Sequence, residues 1–207
     1  MTAAWKAIVE DRVIAVVRAG RVPNPAGVAD AFAAGGIRCV EFTCTIPEVT
    51  SVIAAAADAR YAIVGVGTVI RDDQARSAVE AGAQFVVSPA MRPEIVPAAG
   101  GLPVFMGAIT PTEIVAAMEA GAAAVKLFPA SLGGPGYLRA LRGPFPDVPF
   151  IPSGGVDERT VADYLAAGAI AVYAGSSVAD VGEIERGDTD AITARSAAFM
   201  AALRSVD

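Results

Sequence analysis

The 207-residue chain contains no histidine, and this absence removes Ser-His-Asp and Cys-His triads, histidine metal ligands and imidazole acid–base chemistry in one step. An enzyme built on it must move protons with carboxylates, lysine, tyrosine or water. Cysteine is scarce as well: only Cys39 and Cys44 occur, five positions apart in a strand-like segment whose odd separation sends them to opposite faces. No disulfide is expected between them, and two thiols without histidine make no zinc site. Basic runs are missing and the formal net charge is -6, which argues against nucleic acid as a partner, because phosphate neutralisation needs clustered Lys and Arg. A small anionic substrate needs only a local site.

Long hydrophobic spans are missing too. The longest uncharged stretch, 95–112, has 18 residues but holds Pro97, Pro103, Pro111, Gly100, Gly101 and Gly107, so it is not one helix and no membrane partner is expected. Glu10, Asp11 and Arg12 interrupt the apolar segment a signal peptide would need, which predicts a cytoplasmic protein. What is present, 54% hydrophobic and 18% charged residues without a linker or low-complexity segment, describes one compact domain over 1–207.

Lysine is the informative scarcity. Of sixteen Lys and Arg residues fourteen are arginine, leaving Lys6 and Lys126. Lys126 stands within the apolar run Ala122-Ala123-Ala124-Val125-Lys126-Leu127-Phe128-Pro129, and lysine is almost never fully buried without a reason. A snorkelling or ion-paired cation would be served as well by arginine. Only lysine, desolvated, becomes a neutral amine nucleophile towards carbonyls.

Short apolar segments at 13–18, 39–43, 62–69, 85–89, 104–109, 124–129, 150–155 and 171–176 read as eight strands. Between them lie Ala-rich stretches of helical spacing, with start signals at Asn24-Pro25, Arg71-Asp72-Asp73, Thr110-Pro111-Thr112-Glu113 and Asp157-Glu158. Several end in a repeated phrase, Ala34-Gly35-Gly36, Ala81-Gly82-Ala83, Ala120-Gly121-Ala122 and Ala167-Gly168-Ala169, in which glycine supplies a left-handed cap and feeds a buried strand. Strict βα alternation leaves a doubly wound sheet or a (β/α)8 TIM barrel, and eight strands favour the barrel.

In a barrel, function lies where the strands end. Alternation along 39–43 puts Glu41 on the face opposite Val40 and Phe42, inside the barrel, where it can meet Lys126, itself inward with Ala124 and Phe128 on the sixth strand. The pair is equally compatible with a structural salt bridge. The third strand ends in Gly65-Val66-Gly67-Thr68-Val69, either a turn or a hydroxyl with close backbone approach. Ser153-Gly154-Gly155 and Gly175-Ser176-Ser177 follow strands seven and eight. One alone would be a β-turn; the two together occupy the usual phosphate cradle of barrel enzymes.

With these features the sequence resembles the KDPG/KHG aldolase family, the 2-dehydro-3-deoxy-6-phosphogluconate and 4-hydroxy-2-oxoglutarate aldolases, over about 12–204. The most specific stretches are Gly65 to Val69, Ser88-Pro89, Lys126-Leu127-Phe128-Pro129-Ala130-Ser131, Arg142-Gly143-Pro144-Phe145-Pro146 and Pro152-Ser153-Gly154-Gly155-Val156. The resemblance implies a Schiff-base lysine at Lys126 and a general acid/base at Glu41. It implies pyruvyl contact at Thr68, substrate contact at Pro89, and phosphate contact at Gly154, Gly155, Gly175 and Ser176. Ser153 stands where gluconate-specific members have Thr, a position implicated in the stereochemistry at C4. Thr45 stands where many members place the Arg that holds the substrate carboxylate, and Arg18 at the end of strand one is the replacement candidate, its alternative being an exposed strand-end arginine. The family is a metal-free, cofactor-free class I aldolase, a homotrimer acting on phosphorylated 2-keto-3-deoxy sugar acids. The galactonate-configured substrate and phosphate-free 4-hydroxy-2-oxoglutarate share the same chemistry. A phosphosugar isomerase or epimerase would need no imine, and a silent ligand-binding barrel would have no need of Lys126.

Overall fold

A computed structural model describes residues 2–204. Its strands are β1 Val13–Val17, β2 Cys39–Thr43, β3 Ile63–Gly67, β4 Val86–Val87, β5 Val104–Ala108, β6 Ala124–Leu127, β7 Phe150–Pro152 and β8 Val172–Ala174. They pair in the order 7-6-5-4-3-2-1-8, and every ladder is parallel. The eight strands form a nearly closed (β/α)8 barrel. Among the described residues β7 and β8 share no ladder; the Ile170 amide donates to the Phe150 carbonyl at 3.0 Å and ties the seam at its lower end.

Each strand falls within its predicted segment; β2 matches 39–43 at both ends, and the other seven stop short of the predicted C-terminal end. Past those ends, residues such as Thr68, Pro89, Phe128, Ser153 and Ser176 build the rim; Phe128 and Ser153 each keep one amide bond to the neighbouring strand, to the carbonyls of Ala108 and Leu127.

The helices are α1 Ala3–Asp11, α2 Pro25–Ala34, α3 Val49–Ala56, α4 Asp72–Glu80, α5 Ile95–Ala98, α6 Pro111–Glu119, α7 Gly134–Arg142, α8 Val161–Ala166, α9 Val181–Arg186 and α10 Thr189–Arg204. Asn24 caps α2 by accepting from the Gly27 amide, and Thr110 and Glu113 form a reciprocal capping box on α6. The expected start at Asp157 is displaced. Its carboxylate accepts from the Arg159 and Thr160 amides, each at 3.0 Å, and this turn delays α8 to Val161.

The repeated glycine phrase does what its spacing predicts. Gly36, Gly82, Gly121 and Gly168 have φ of 99°, 102°, 92° and 99°. The next residues, Ile37, Ala83, Ala122 and Ala169, donate back to the carbonyls of Phe32, Ala78, Ala117 and Tyr164, the six-to-one bond of a Schellman cap. Four helices are thereby turned back to the sheet by one local device.

Alternation divides the apolar residues into two cores. Val40, Phe42, Val125 and Leu127 face outward into the layer between sheet and helices. Ile14, Cys39, Phe85, Phe105, Ala124 and Ile151 fill the lower barrel. Helix α1, which precedes the first strand and which the sequence reading did not assign, plugs that end with Ala4, Ala7 and Ile8, and its Trp5 ring lies 6.2 Å from that of Phe105. Arg38 anchors it through Asp11 and Glu10 at 2.6 and 2.8 Å. Cys39 is buried and Cys44, just past β2, is half-buried; both thiols are free.

The Gly-Val-Gly of β3 also acquires a reason. Gly65 points inward, and a Cβ there would overlap the ring of Phe85. Gly65→Ala should therefore destabilise the fold by about 1–3 kcal/mol through overpacking, read as a lower denaturant midpoint; an unchanged midpoint would show that Phe85 has room to move.

Candidate active site

Above this apolar floor the interior becomes polar. Glu41 of β2 has a fully buried side chain and Lys126 of β6 retains 6% of its side-chain exposure, with Lys126 Nζ 3.7 Å from Glu41 Oε2. That is an ion-pair distance outside hydrogen-bond range, and neither carboxylate oxygen has a hydrogen-bond partner. Space for the carboxylate comes from β3, since a Cβ on Gly67 would overlap it. Register brings the other wall into place: Lys126 pairs with Gly107 of β5, and a Cβ on Gly107 would strike the backbone of Pro89. The loop carrying Pro89 can therefore pass beside the amine.

Burial dominates the electrostatics of the pair. It pushes the Glu41 carboxyl above its ordinary range, against the pull of Lys126 and Arg18. It pushes the Lys126 ammonium below its ordinary range, reinforced by Arg18 and opposed by Glu41. Both shifts favour the uncharged forms, an amine with a free lone pair beside a carboxyl that can donate a proton.

A second cluster sits on the rim. Arg18 is exposed, and its guanidinium donates to Thr45 Oγ1 at 2.9 Å and Thr68 Oγ1 at 3.1 Å. Thr43 donates to the Val17 carbonyl at 3.2 Å, so the 2.8 Å contact between the Thr43 and Thr45 hydroxyls has Thr45 as donor. Thr68 follows the last residue of β3 with φ 57°, a conformation costing a β-branched residue about 1–2 kcal/mol, and functional sites are where such strain collects. Thr45, Thr68 and Arg18 thus form one polar group above Glu41.

The third part is a cavity of about 430 Å³ lined by Ser153, Gly154, Gly155, Gly175, Ser176 and Tyr173, among others. It opens over the unpaired seam between β7 and β8. Gly154 and Gly155 have φ of 88° and 80°, consecutive left-handed residues in one turn, with Phe128 and Ser131 packed beside them. Asp157 and Glu158 share the lining, Asp157 being engaged with its own turn.

The sequence reading placed Phe128 inward with Lys126; it lies instead past the end of β6, 39% exposed, its ring 5.8 Å from the amine. It missed Tyr173. Inward parity with Ala171 and Gly175 was the signal, masked because an aromatic on a strand ordinarily reads as core. The Tyr173 ring lies 4.3 Å from Lys126 Nζ.

A family model for KDPG and KHG aldolases matches residues 6–195. A 2-dehydro-3-deoxy-phosphogluconate aldolase of Treponema pallidum (strain Nichols) is 37% identical over 200 residues, 95% of this chain and 95% of that protein. A KHG/KDPG aldolase of Escherichia coli (strain K12) is 36% identical over 196 residues, 93% and 92% of the two chains. Among solved structures, the KDPG aldolase of Legionella pneumophila with pyruvate captured at low pH as a covalent carbinolamine intermediate aligns with a TM-score of 0.86 at 28% identity, covering 96% of this chain and 98% of that one.

Glu41→Gln keeps the size of the buried group and removes its proton. Turnover should fall about 10²–10⁴-fold with the circular dichroism spectrum intact, and undiminished turnover would reduce Glu41 to a structural partner. Gly67→Ala, which displaces the same carboxylate without changing it, should lower turnover in the same direction.

Proposed function

The chain belongs to the KDPG and KHG aldolase family and is an aldolase, a lyase; within that family we propose that it is a class I enzyme cleaving 2-dehydro-3-deoxy-6-phospho-D-gluconate to pyruvate and D-glyceraldehyde 3-phosphate, and 4-hydroxy-2-oxoglutarate to pyruvate and glyoxylate. The observation that carries the Schiff-base reading is the buried Lys126 amine 3.7 Å from the Glu41 carboxyl.

In this reading the Nζ lone pair adds to C2 of the substrate, and the carbonyl oxygen takes a proton to give the carbinolamine. Glu41 protonates that hydroxyl, water leaves, and the nitrogen becomes an iminium. The Glu41 carboxylate then accepts the C4 hydroxyl proton. The C3–C4 bond breaks, its electrons flow to the iminium, and the aldehyde departs. Protonation of the enamine at C3 and addition of water release pyruvate and the free amine. Each proton leaves and returns through a carboxylate, as a chain without histidine requires.

Arg18 is proposed to hold the substrate carboxylate, with Thr45 and Thr68 presenting hydroxyls beside it. The 2.9 and 3.1 Å bonds to those hydroxyls support this reading over that of a free strand-end arginine. The turns at Gly154-Gly155 and Gly175-Ser176 are proposed to take the phosphate, Pro89 to border the pyruvyl portion, and Ser153 to meet the C4 side. No helix of the described residues is long and apolar enough to cross a membrane. The proposal includes a cytoplasmic homotrimer of single-domain subunits, with sedimentation analysis as the measure of its size.

Borohydride reduction in the presence of pyruvate should add a pyruvyl-derived group at Lys126 and none at Lys6, as read by peptide mass analysis. Lys126→Arg should abolish both adduct and turnover, because a guanidinium does not deprotonate; full turnover by that variant would refute the mechanism. Turnover of the gluconate, galactonate and phosphate-free substrates decides among them.

Arg18→Ala should raise KM about 10- to 100-fold, the range of a lost charged hydrogen bond. Weakened pyruvate trapping would assign Arg18 to the carboxylate. Normal trapping with weakened cleavage would assign it to the phosphate, and wild-type behaviour in both assays would leave the carboxylate to Thr45, Thr68 and backbone amides.

A further inference from the structure

Tyr173 of β8 stands against the reacting amine, and the mechanism above gives it no task. The residue is 1% exposed, and its hydroxyl has no hydrogen-bond partner. An unpaired buried hydroxyl costs about 1–3 kcal/mol, which phenylalanine at this position would avoid. What the amine meets is the ring, its centroid 4.3 Å from Nζ, on a residue that also lines the cavity proposed for substrate.

The charged and titratable groups facing Lys126 are few. Glu41 approaches from β2 and Arg18 from the end of β1. Tyr173 comes from β8, and Cys39, lower on β2, interacts with Tyr173. Arg18 repels a cation at Nζ. Glu41 attracts one only while ionised, and as the proposed proton carrier it is neutral for part of every cycle. An aromatic face carries its negative quadrupole irrespective of that cycle. Burial holds the phenol well above its ordinary range, so Tyr173 stays protonated and carries no charge beside the amine.

We propose that Tyr173 is a positioning residue whose ring face holds Nζ of Lys126 and stabilises the positive charge that appears on that nitrogen when water leaves the carbinolamine. This rests on the reading of Lys126 as the imine-forming lysine. In the mechanism above Glu41 is a carboxylate while the iminium is present, so the cation is held by that anion on one side and the ring face on the other, and the ring is the contribution that does not depend on the proton Glu41 carries.

The test is pyruvate-dependent borohydride trapping at Lys126, followed across pH in the full chain with Tyr173→Phe, Tyr173→Leu and Tyr173→Met, each checked for folding by circular dichroism and denaturant midpoint. Tyr173→Phe keeps the ring and should trap as the wild type does, with a midpoint no lower. Tyr173→Leu and Tyr173→Met remove it and should yield roughly 10- to 30-fold less imine. Without the ring the ammonium loses a stabilising contact and its pKa falls, so the acid limb of the trapping profile should move down by about one pH unit. A packing defect alone would not shift that limb. If either folded ring-less variant traps to wild-type extent with an unmoved limb, the proposal is wrong. It is equally wrong if Tyr173→Phe loses as much as they do, since the role then belongs to the hydroxyl. Absence of any Lys126 adduct in the wild type would instead overturn the assignment of Lys126, on which the proposal stands.

Discussion

An amine and a carboxyl buried together in a barrel interior constrain almost everything around them. Removing two ions from water costs several kcal/mol each, which their mutual attraction offsets only with close geometry and further hydrogen bonds. Here the closest approach is 3.7 Å and the carboxylate oxygens have no hydrogen-bond partner, so the ion pair is weakly compensated. The arrangement holds because the barrel keeps both groups where they are: Glu41 and Lys126 project from strands bonded on both sides, and Gly67 leaves the carboxylate a volume no other residue would leave. Weak compensation is also what drives both groups towards their uncharged, reactive forms.

The wet rim supplies what the dry interior cannot. Arg18 stays exposed, its charge solvated, and its fork is oriented by Thr45 and Thr68 rather than by an acid. A guanidinium committed to a carboxylate of its own would have to break that bond to receive a substrate, whereas hydroxyls are neutral partners that release or share it at little cost. Gly154 and Gly155, both with positive φ, line the cavity together with residues after β8. The molecule thus separates an exposed guanidinium, a buried amine–carboxyl pair and a glycine- and serine-lined cavity.

Much of this was legible because the code at each place was local. A glycine two residues past a helix end, repeated four times, announced the return to a parallel sheet, and Lys126, one of two lysines beside fourteen arginines, pointed to a chemical demand arginine does not meet. Glu41 was legible through strand parity alone. Less visible were features that depend on what faces what across the barrel. Gly65 and Gly67 read as a turn signal, yet they are inward positions vacated for Phe85 and Glu41. The shift of Phe128 from the interior to the rim arises because β6 ends at Leu127, and parity no longer applies beyond it. Helix α1 gave no pattern that set it apart from a lead-in segment; its role as a plug depends on the open lower end that eight other segments create.

Tyr173 illustrates why an interior aromatic is the hardest kind of functional residue to see. Its apolar body satisfies every expectation for a core position of β8, and its parity is that of Ala171 below it. What distinguishes it is a single neighbour, the amine across the barrel, and the hydroxyl left unpaired at full burial. In the proposal above, a cation at Lys126 Nζ meets the Glu41 carboxylate on one side and the polarisable face of the Tyr173 ring on the other. In this barrel that surface is supplied by β8, which with β7 borders the unpaired seam. The side chain that faces Lys126 Nζ therefore rises from the same strand whose following turn, at Gly175 and Ser176, lines the cavity.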